Sequence, residues 1–257
     1  RGGLRGGNGG GAGARRRGGG TRGGSVRVQN PEEPNVGDER VTSAPTVNGA
    51  QGAIEYPFAP DSTIARFMLP KPLAPGDSAM VTFAWDARPS ATVYRRQGRK
   101  GRHYDFSQWY PKVAVYDRGG WEAQPFIPNG EMYGEFGTFD VTLILASDQV
   151  VGATGVPVWG DPGWEKARDW GEVHYDRNAY GIVDTMPTSV PDGMKAVRFI
   201  ARDVHQFGWA TVPDDKYEGA LYRGPIPIHA LIPSAQPAKP GNGAVAGAGL
   251  RVPHHQY

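Results

Sequence analysis

The most regular alternation in the chain runs from 139 to 145. Phe139, Val141, Leu143 and Leu145 fall on one side, and Asp140, Thr142 and Ile144 on the other. A period of two with one apolar face is the mark of a half-buried strand. Shorter alternations at Ile54 to Phe58, Ser62 to Leu69, Ala79 to Trp85, Ala196 to Ala201 and Ile226 to Ile232 predict further strands, with the Pro-rich run 70–76 as a turn inside a meander. Tyr104, Phe106, Trp109 and Tyr110, closed by Pro111, lead into Val113 and Val115, read as another strand. Asp117-Arg118-Gly119-Gly120 then supplies residues that tolerate left-handed backbone angles, a turn before Trp121. Tyr217 to Gly224 reads as a loop between the last two strands, and Trp164 to Trp170 as one or two helical turns. No stretch of ten or more residues carries a 3.6-residue apolar period. The expected class is therefore all-β, a predominantly antiparallel β-sandwich.

Composition sets the expected limits of that domain. Residues 1–24 contain thirteen Gly and six Arg without one acid, residues 25–52 are rich in Pro, Asn, Gly and Glu, and the chain beyond Pro233 returns to Pro, Gly and Ala. Segments with so few apolar groups cannot offset their ordering entropy. The expected organisation is a disordered lead-in over 1–52, a β-sandwich over 53–232 and a disordered tail over 233–257. The six arginines also account for the basic balance, because the formal charge of +2 becomes −4 once they are set aside. With no aromatics interleaved among them, no nucleic-acid partner is expected. No apolar run approaches the roughly 20 residues of a membrane span, and no basic segment followed by an apolar run marks an export signal. The compartment stays open, since the absence of cysteine excludes disulfides and thiolate chemistry without fixing a location.

The search for chemistry is mostly negative. His103, His174, His205, His229, His254 and His255 contain no pair four apart, so no helical zinc motif is present, and each lone histidine reads as structural or solvated. Glu131, Glu135 and Asp140 form a possible carboxylate group, but the glycines among them argue for a turn whose acids face water. Ser107, and Ser189 near Asp192, lack the strand-turn-helix setting of a nucleophile. The basic run Arg95, Arg96, Arg99, Lys100 and Arg102 reads as a solvated hairpin tip. Trp159, Trp164 and Trp170 stand for packing in one reading and for a carbohydrate- or surface-binding face in the other; buried rings favour the first and coplanar exposed rings the second.

Several blocks agree with one family in order and spacing. SQWYPKVAVYD (107–117), GEMYGEFGTFDVTL (130–143), VVGATG (150–155), PGWEKAR (162–168), ARDVHQFGWATVPD (201–214) and YRGPIPIHAL (222–231), with LPKPLAPGDSAMVTFAWD (69–86) before them, resemble the amino-terminal β-sandwich domain of bacterial zinc metallopeptidases related to aminopeptidase N. The resemblance spans Ile54 to Leu231. It implies a non-catalytic domain that packs on the catalytic domain of a parent peptidase and narrows the cleft through which peptides enter. Zinc would belong to the parent, whose His-Glu-x-x-His motif this chain lacks, so neither a cofactor nor activity is expected of the chain alone. The one substrate-facing residue the resemblance implies is Gln108, through the amine of the peptide. The parent's compartment is left open, an exported enzyme being one option.

Overall fold

The computed structural model describes residues 38–91, 97–125, 133–181, 189–224 and 226–234. The fold is all-β and predominantly antiparallel, as the alternations require. The first part is a set of short ladders: β1 (Asp38–Val41), β2 (Thr46–Val47), β3 (Ala50–Gln51), β4 (Ala53–Glu55), β5 (Arg66–Met68), β6 (Val81–Thr82) and β7 (Trp85–Arg88). β1 pairs with β7, β4 with β5, and β2 lies between β3 and β6. The longer strands follow. They begin with the hairpin β8 (Gln97–Lys100) and β9 (His103–Phe106), the small hairpin β10 (Tyr116–Asp117) and β11 (Gly120–Trp121), and β12 (Gly137–Ala146). β13 (Val150–Ala153), β14 (Val156–Trp159), the single turn α1 (Trp164–Ala167) and β15 (Arg168–Trp170) come next. β16 (Met194–Val204), β17 (Trp209–Val212), β18 (Asp215–Tyr222) and β19 (Ile226–Pro233) complete the chain.

Three sheets carry the core: β12-β16-β14, β13-β17-β9-β8 and β15-β18-β19. The face of β12 foreseen as apolar meets that of β16, with Val141 opposite Phe199 and Leu143 opposite Val197. Leu143, Val197 and Phe199, with Val150 and Val151 of β13, Trp164, Phe207 and Tyr217, form one buried cluster, and Val141 packs against it half-buried. The other face of β12 is wet, and there Arg198 clamps Asp140 with two short hydrogen bonds at 2.8 and 2.7 Å. An aromatic relay ties the short ladders to this cluster. Ring centroids lie 5.1 Å apart for Phe67–Phe83, 5.8 Å for Phe83–Trp85 and 6.1 Å for Trp85–Trp109, and Tyr110, Phe139 and Phe207 carry the contact on to Phe199.

The structure moves several expected boundaries. β1, β2 and β3 lie within the expected lead-in, so folded chain reaches back to Asp38 and the boundary near residue 53 is corrected. The reason is local: Val47 and Pro45 are buried, and the Asn48 side chain accepts from the Met80 amide at 2.8 Å, which holds β2 against β6. The remainder of the lead-in and the tail from 235 lie outside the described residues. Ala79 to Trp85 is divided between β6 and β7, and the strand foreseen at Val113–Val115 is not one; Val115 is buried and Val113 exposed, but the ladder begins only at Tyr116. The turn at 118–119 stands as expected, joining Asp117 to its partner Gly120.

The segment 217–224, read as a loop, is mostly β18. Its residues pair along their length with β19, from Asp215 opposite Pro233 to Tyr222 opposite Ile226. Gly219 is there not as a turn residue but because the neighbouring chain approaches closely; a β-carbon would overlap the Glu172 carbonyl oxygen. That approach belongs to the parallel pairing of β15 with β18, the parallel contact in an otherwise antiparallel fold.

Candidate functional site

The basic run occupies the β8–β9 hairpin as foreseen, with Arg95 and Arg96 outside the described residues. Its tip is fastened rather than free. Arg102 forms a bidentate pair with Asp148 at 2.6 and 2.8 Å, which holds the Asp148 carboxyl below the usual range. Beside it the buried Gln149 donates to the Arg102 carbonyl at 3.3 Å and accepts from the Thr211 hydroxyl at 2.9 Å. This polar corner joins β9, the β12–β13 connection and β17.

The other sequence candidates do not converge. Glu135 is exposed, Asp140 is engaged by Arg198, and Glu131 lies outside the described residues. Ser189 and Asp192 are exposed before β16. Gln108 sits at φ 57° on the bend leaving β9, a left-handed conformation that turns the chain so that the Trp109 indole donates to the Phe207 carbonyl at 3.0 Å. The tryptophans separate by role: Trp164 is 2% exposed with its indole donating to the Val151 carbonyl at 2.7 Å, whereas Trp170 stands 53% exposed. They do not form a platform of coplanar rings, which favours packing for Trp164. Among the described residues no three His, Asp or Glu side chains are grouped to hold a metal ion, and no helix is long and apolar enough to cross a membrane. His254 and His255 lie outside those residues.

Two features escape sequence reading. One is a shallow groove of about 480 Å³ over the β13-β17-β9 face, walled by Asp105, Ser107, Thr154, Trp209, His229 and Leu231. His229 stacks on Trp164 with centroids 4.3 Å apart and lies 2.8 Å through Nδ1 from the Tyr217 hydroxyl. Burial pushes Tyr217 up to about 12 and pushes His229 below its ordinary value, with nearby His174 adding to the latter. Both groups are neutral at pH 7, and which of them donates in the bond they share follows from which ring nitrogen of His229 carries the proton. The two residues come together as diagonal neighbours, because Gly219 lies opposite His229 and Tyr217 opposite Leu231. The signal available beforehand was the spacing Tyr217, Gly219, Leu221, which is strand-like once Gly219 is not taken as a turn.

The second feature is apolar. Val113, Tyr116, Trp121, Tyr133 and Phe136 are each between 60% and 79% exposed. Tyr116 and Trp121 touch across the small hairpin at 5.0 Å. The two segments that carry the five side chains are joined at one point: Lys112 donates to the His205 carbonyl at 2.8 Å, His205 Nδ1 lies 3.0 Å from the Gly134 carbonyl, and Phe136 packs on the His205 ring. Burial lowers the Lys112 ammonium below its ordinary value.

No family model matches the chain, and neither comparison with curated proteins nor comparison with solved structures returns a match.

Proposed function

We propose that the chain is a non-catalytic amino-terminal domain of an aminopeptidase-N-like zinc metallopeptidase, which packs on the catalytic domain and limits access to its cleft. The observation that carries the reading is the set of exposed side chains at Val113, Tyr116, Trp121, Tyr133 and Phe136. Apolar exposure on this scale, with Tyr116 and Trp121 in contact, supports a surface made for a partner. Four of the five fall on two of the blocks that carry the family resemblance, 107–117 and 130–143, and Trp121 lies between those blocks. The domain's contribution in this reading is steric selection, with Gln108 as the residue facing the peptide's amine. The catalytic zinc and its ligands belong to the partner domain, because a catalytic site needs three converging protein donors and an open position for water.

Two measurements test it. The nucleotide sequence downstream of this reading frame should encode a His-Glu-x-x-His domain; expressed separately, that domain should bind the chain, and Trp121→Asp should abolish the binding. The purified chain, dialysed against a mild chelator, should retain no stoichiometric zinc and turn over no leucine-derived chromogenic substrate. One retained zinc per chain, with activity lost on mutating a single histidine, would overturn the reading and make this chain an enzyme.

A further inference from the structure

β12 is an edge strand of the β12-β16-β14 sheet, and its neighbours fix which of its backbone groups face outward. On the far side of β16, a β-carbon on Gly155 would overlap the Ile200 carbonyl oxygen, and one on Gly160 that of Ala196, so the even-numbered residues of β16 aim their carbonyls towards β14. On the near side the Ser147 amide donates to the Gly193 carbonyl at 3.0 Å, so the odd-numbered residues face β12. The N–H and C=O of one residue point the same way in an antiparallel ladder, and successive residues alternate. Val141, Leu143 and Leu145, opposite Phe199, Val197 and Lys195, are therefore bonded to β16. Asp140, Thr142 and Ile144 direct their N–H and C=O groups away from the sheet, where they meet no backbone partner among the described residues.

The other edges of the core sheets are blunted. β14 carries Pro157, β19 carries Pro227 and Pro233, and β15 is three residues long. The edges of β13 and β8 are each met by a loop, the Val151 amide donating to the Pro162 carbonyl at 2.9 Å and the Arg99 amide to the Ser90 carbonyl at 2.8 Å. β12 has none of these devices. From Phe139 to Ala146 it contains no Pro, Gly, Lys or Arg, its single charge at Asp140 is matched by Arg198, and Ile144 stands 41% exposed. A long unguarded edge is a template for another strand. This one is complementary to itself. With two copies antiparallel about a two-fold axis at Leu143, outward-facing residues meet outward-facing residues: Thr142 lies opposite Ile144 of the second copy, a favourable β-branched pair, and Asp140 opposite Ala146. Centring on Asp140 or on Ile144 sets carboxylates opposite each other, Asp140 with Asp140 or Asp140 with Asp148. Centring on Thr142 sets Ile144 against Asp140, and centring on Val141 carries the pairing into the irregularity between Gly137 and Phe139.

We propose that β12 pairs edge to edge with β12 of a second copy of this chain, antiparallel about a two-fold axis at Leu143, which joins two three-stranded sheets into one. The half-buried Phe139 and Val141 gain cover from the facing strand. An isologous contact of this kind uses up both edges, and Pro157 guards the opposite edge of each sheet, so assembly stops at two. The contact is made by backbone groups of β12 and not by the exposed rings of Tyr116 and Trp121, so it does not rest on the peptidase reading and either can fail alone.

The test is sedimentation equilibrium of the full 257-residue chain up to about 1 mM, a concentration at which a dimer needs only about 4 kcal/mol. A monomer–dimer equilibrium should appear. Amide exchange should then separate the two sets of groups on β12: Val141, Leu143 and Leu145 protected at every concentration, Thr142 and Ile144 protected only as the dimer fills. Thr142→Pro removes an outward N–H without breaking a ladder bond of the chain itself, and Ile144→Lys places a charge on the edge. Each should raise the dissociation constant at least about tenfold, the equivalent of about 1.4 kcal/mol, and keep the near-UV dichroism of the parent chain, while Trp121→Asp should leave the equilibrium unchanged. A monomer at every concentration overturns the proposal. So does a dimer that both β12 variants leave intact, or protection of Thr142 and Ile144 in the dilute monomer, which would mean that the chain covers this edge itself.

Discussion

Leu143 and Thr142 are neighbours on β12 that point to opposite faces, so aspartate at each position asks the same backbone two different questions. Leu143 is 7% exposed and faces Val197, which is fully buried. Removing its side chain down to alanine costs about 2–5 kcal/mol in a site of this kind, and a carboxylate placed there has no cation among the buried side chains of the cluster. An uncompensated buried charge adds several kcal/mol more. The sum approaches or exceeds a domain stability of about 5–15 kcal/mol, so Leu143→Asp should leave the chain unfolded at 25 °C. Thr142 is exposed and lies directly opposite Arg198, which already clamps Asp140. A second carboxylate beside that guanidinium gains about 0–1 kcal/mol at the surface and loses up to about 1 kcal/mol of strand preference, for a net change near zero. Urea titrations followed by far-UV dichroism and by tryptophan fluorescence read both variants. Comparable midpoints for the two would refute the register and, with it, the assignment of the core face.

Gln149→Leu should lower stability by about 1 kcal/mol, measured in the same titration, because the Arg102 carbonyl loses its Gln149 donor while the Thr211 hydroxyl keeps the Val150 carbonyl at 2.7 Å. Gly219→Ala should cost at least as much as ordinary overpacking, about 1–3 kcal/mol, since the added methyl meets backbone at Glu172 rather than a side chain that can turn away; a neutral result would mean that β15 stands further from β18. The pH dependence has opposite signs at its two ends. Tyr217 holds its proton more tightly when folded, so its contribution is complete below pH 10 and is lost as pH rises from 10.0 towards about 12. His229, packed against Trp164, Tyr217 and the vicinity of His174, binds a proton less readily when folded, so its contribution is complete above pH 6.5 and declines as pH falls below it. Thermal midpoints across this range should fall on both sides, and Tyr217→Phe should remove the alkaline decline.

The strands that were legible are those whose two faces meet different surroundings. β12 announces itself because Asp140, Thr142 and Ile144 face water while Leu143 and Leu145 do not, and β16 because it is its partner over most of its length. β18 was not legible, because Asp215, Lys216, Glu218 and Gly219 make a strand look like a turn when its burial is set from outside, by α1, β15 and Glu172. β2 is two residues long and offers a single buried valine, too little for any periodicity. The groove was hidden for a related reason: Asp105, Ser107, Trp209 and His229 come from three separate strands or their ends, and only the pairing of β9 with β17 and the hairpin of β18 with β19 assemble them. The role of Trp164 as packing, by contrast, could be weighed in advance, since a ring between Gly163 and a short helical turn has little freedom to point outward.

The aromatic relay from Phe67 to Phe199 has a consequence for cooperativity. The ladders β1 to β7 are two to four residues long and too small to hold together on their own burial, since pairs of short strands are marginal in water. Their contacts with the rest run through the rings of Phe83, Trp85 and Trp109, beside the Arg99 amide donating to the Ser90 carbonyl at 2.8 Å and the Glu39 side chain hydrogen-bonded to Gln97. Amide exchange in the ladders should therefore follow the fate of one indole ring: Trp109→Leu should deprotect residues 46–88 selectively while the amides of β12 and β16 keep their native exchange rates, dividing one cooperative unit into two.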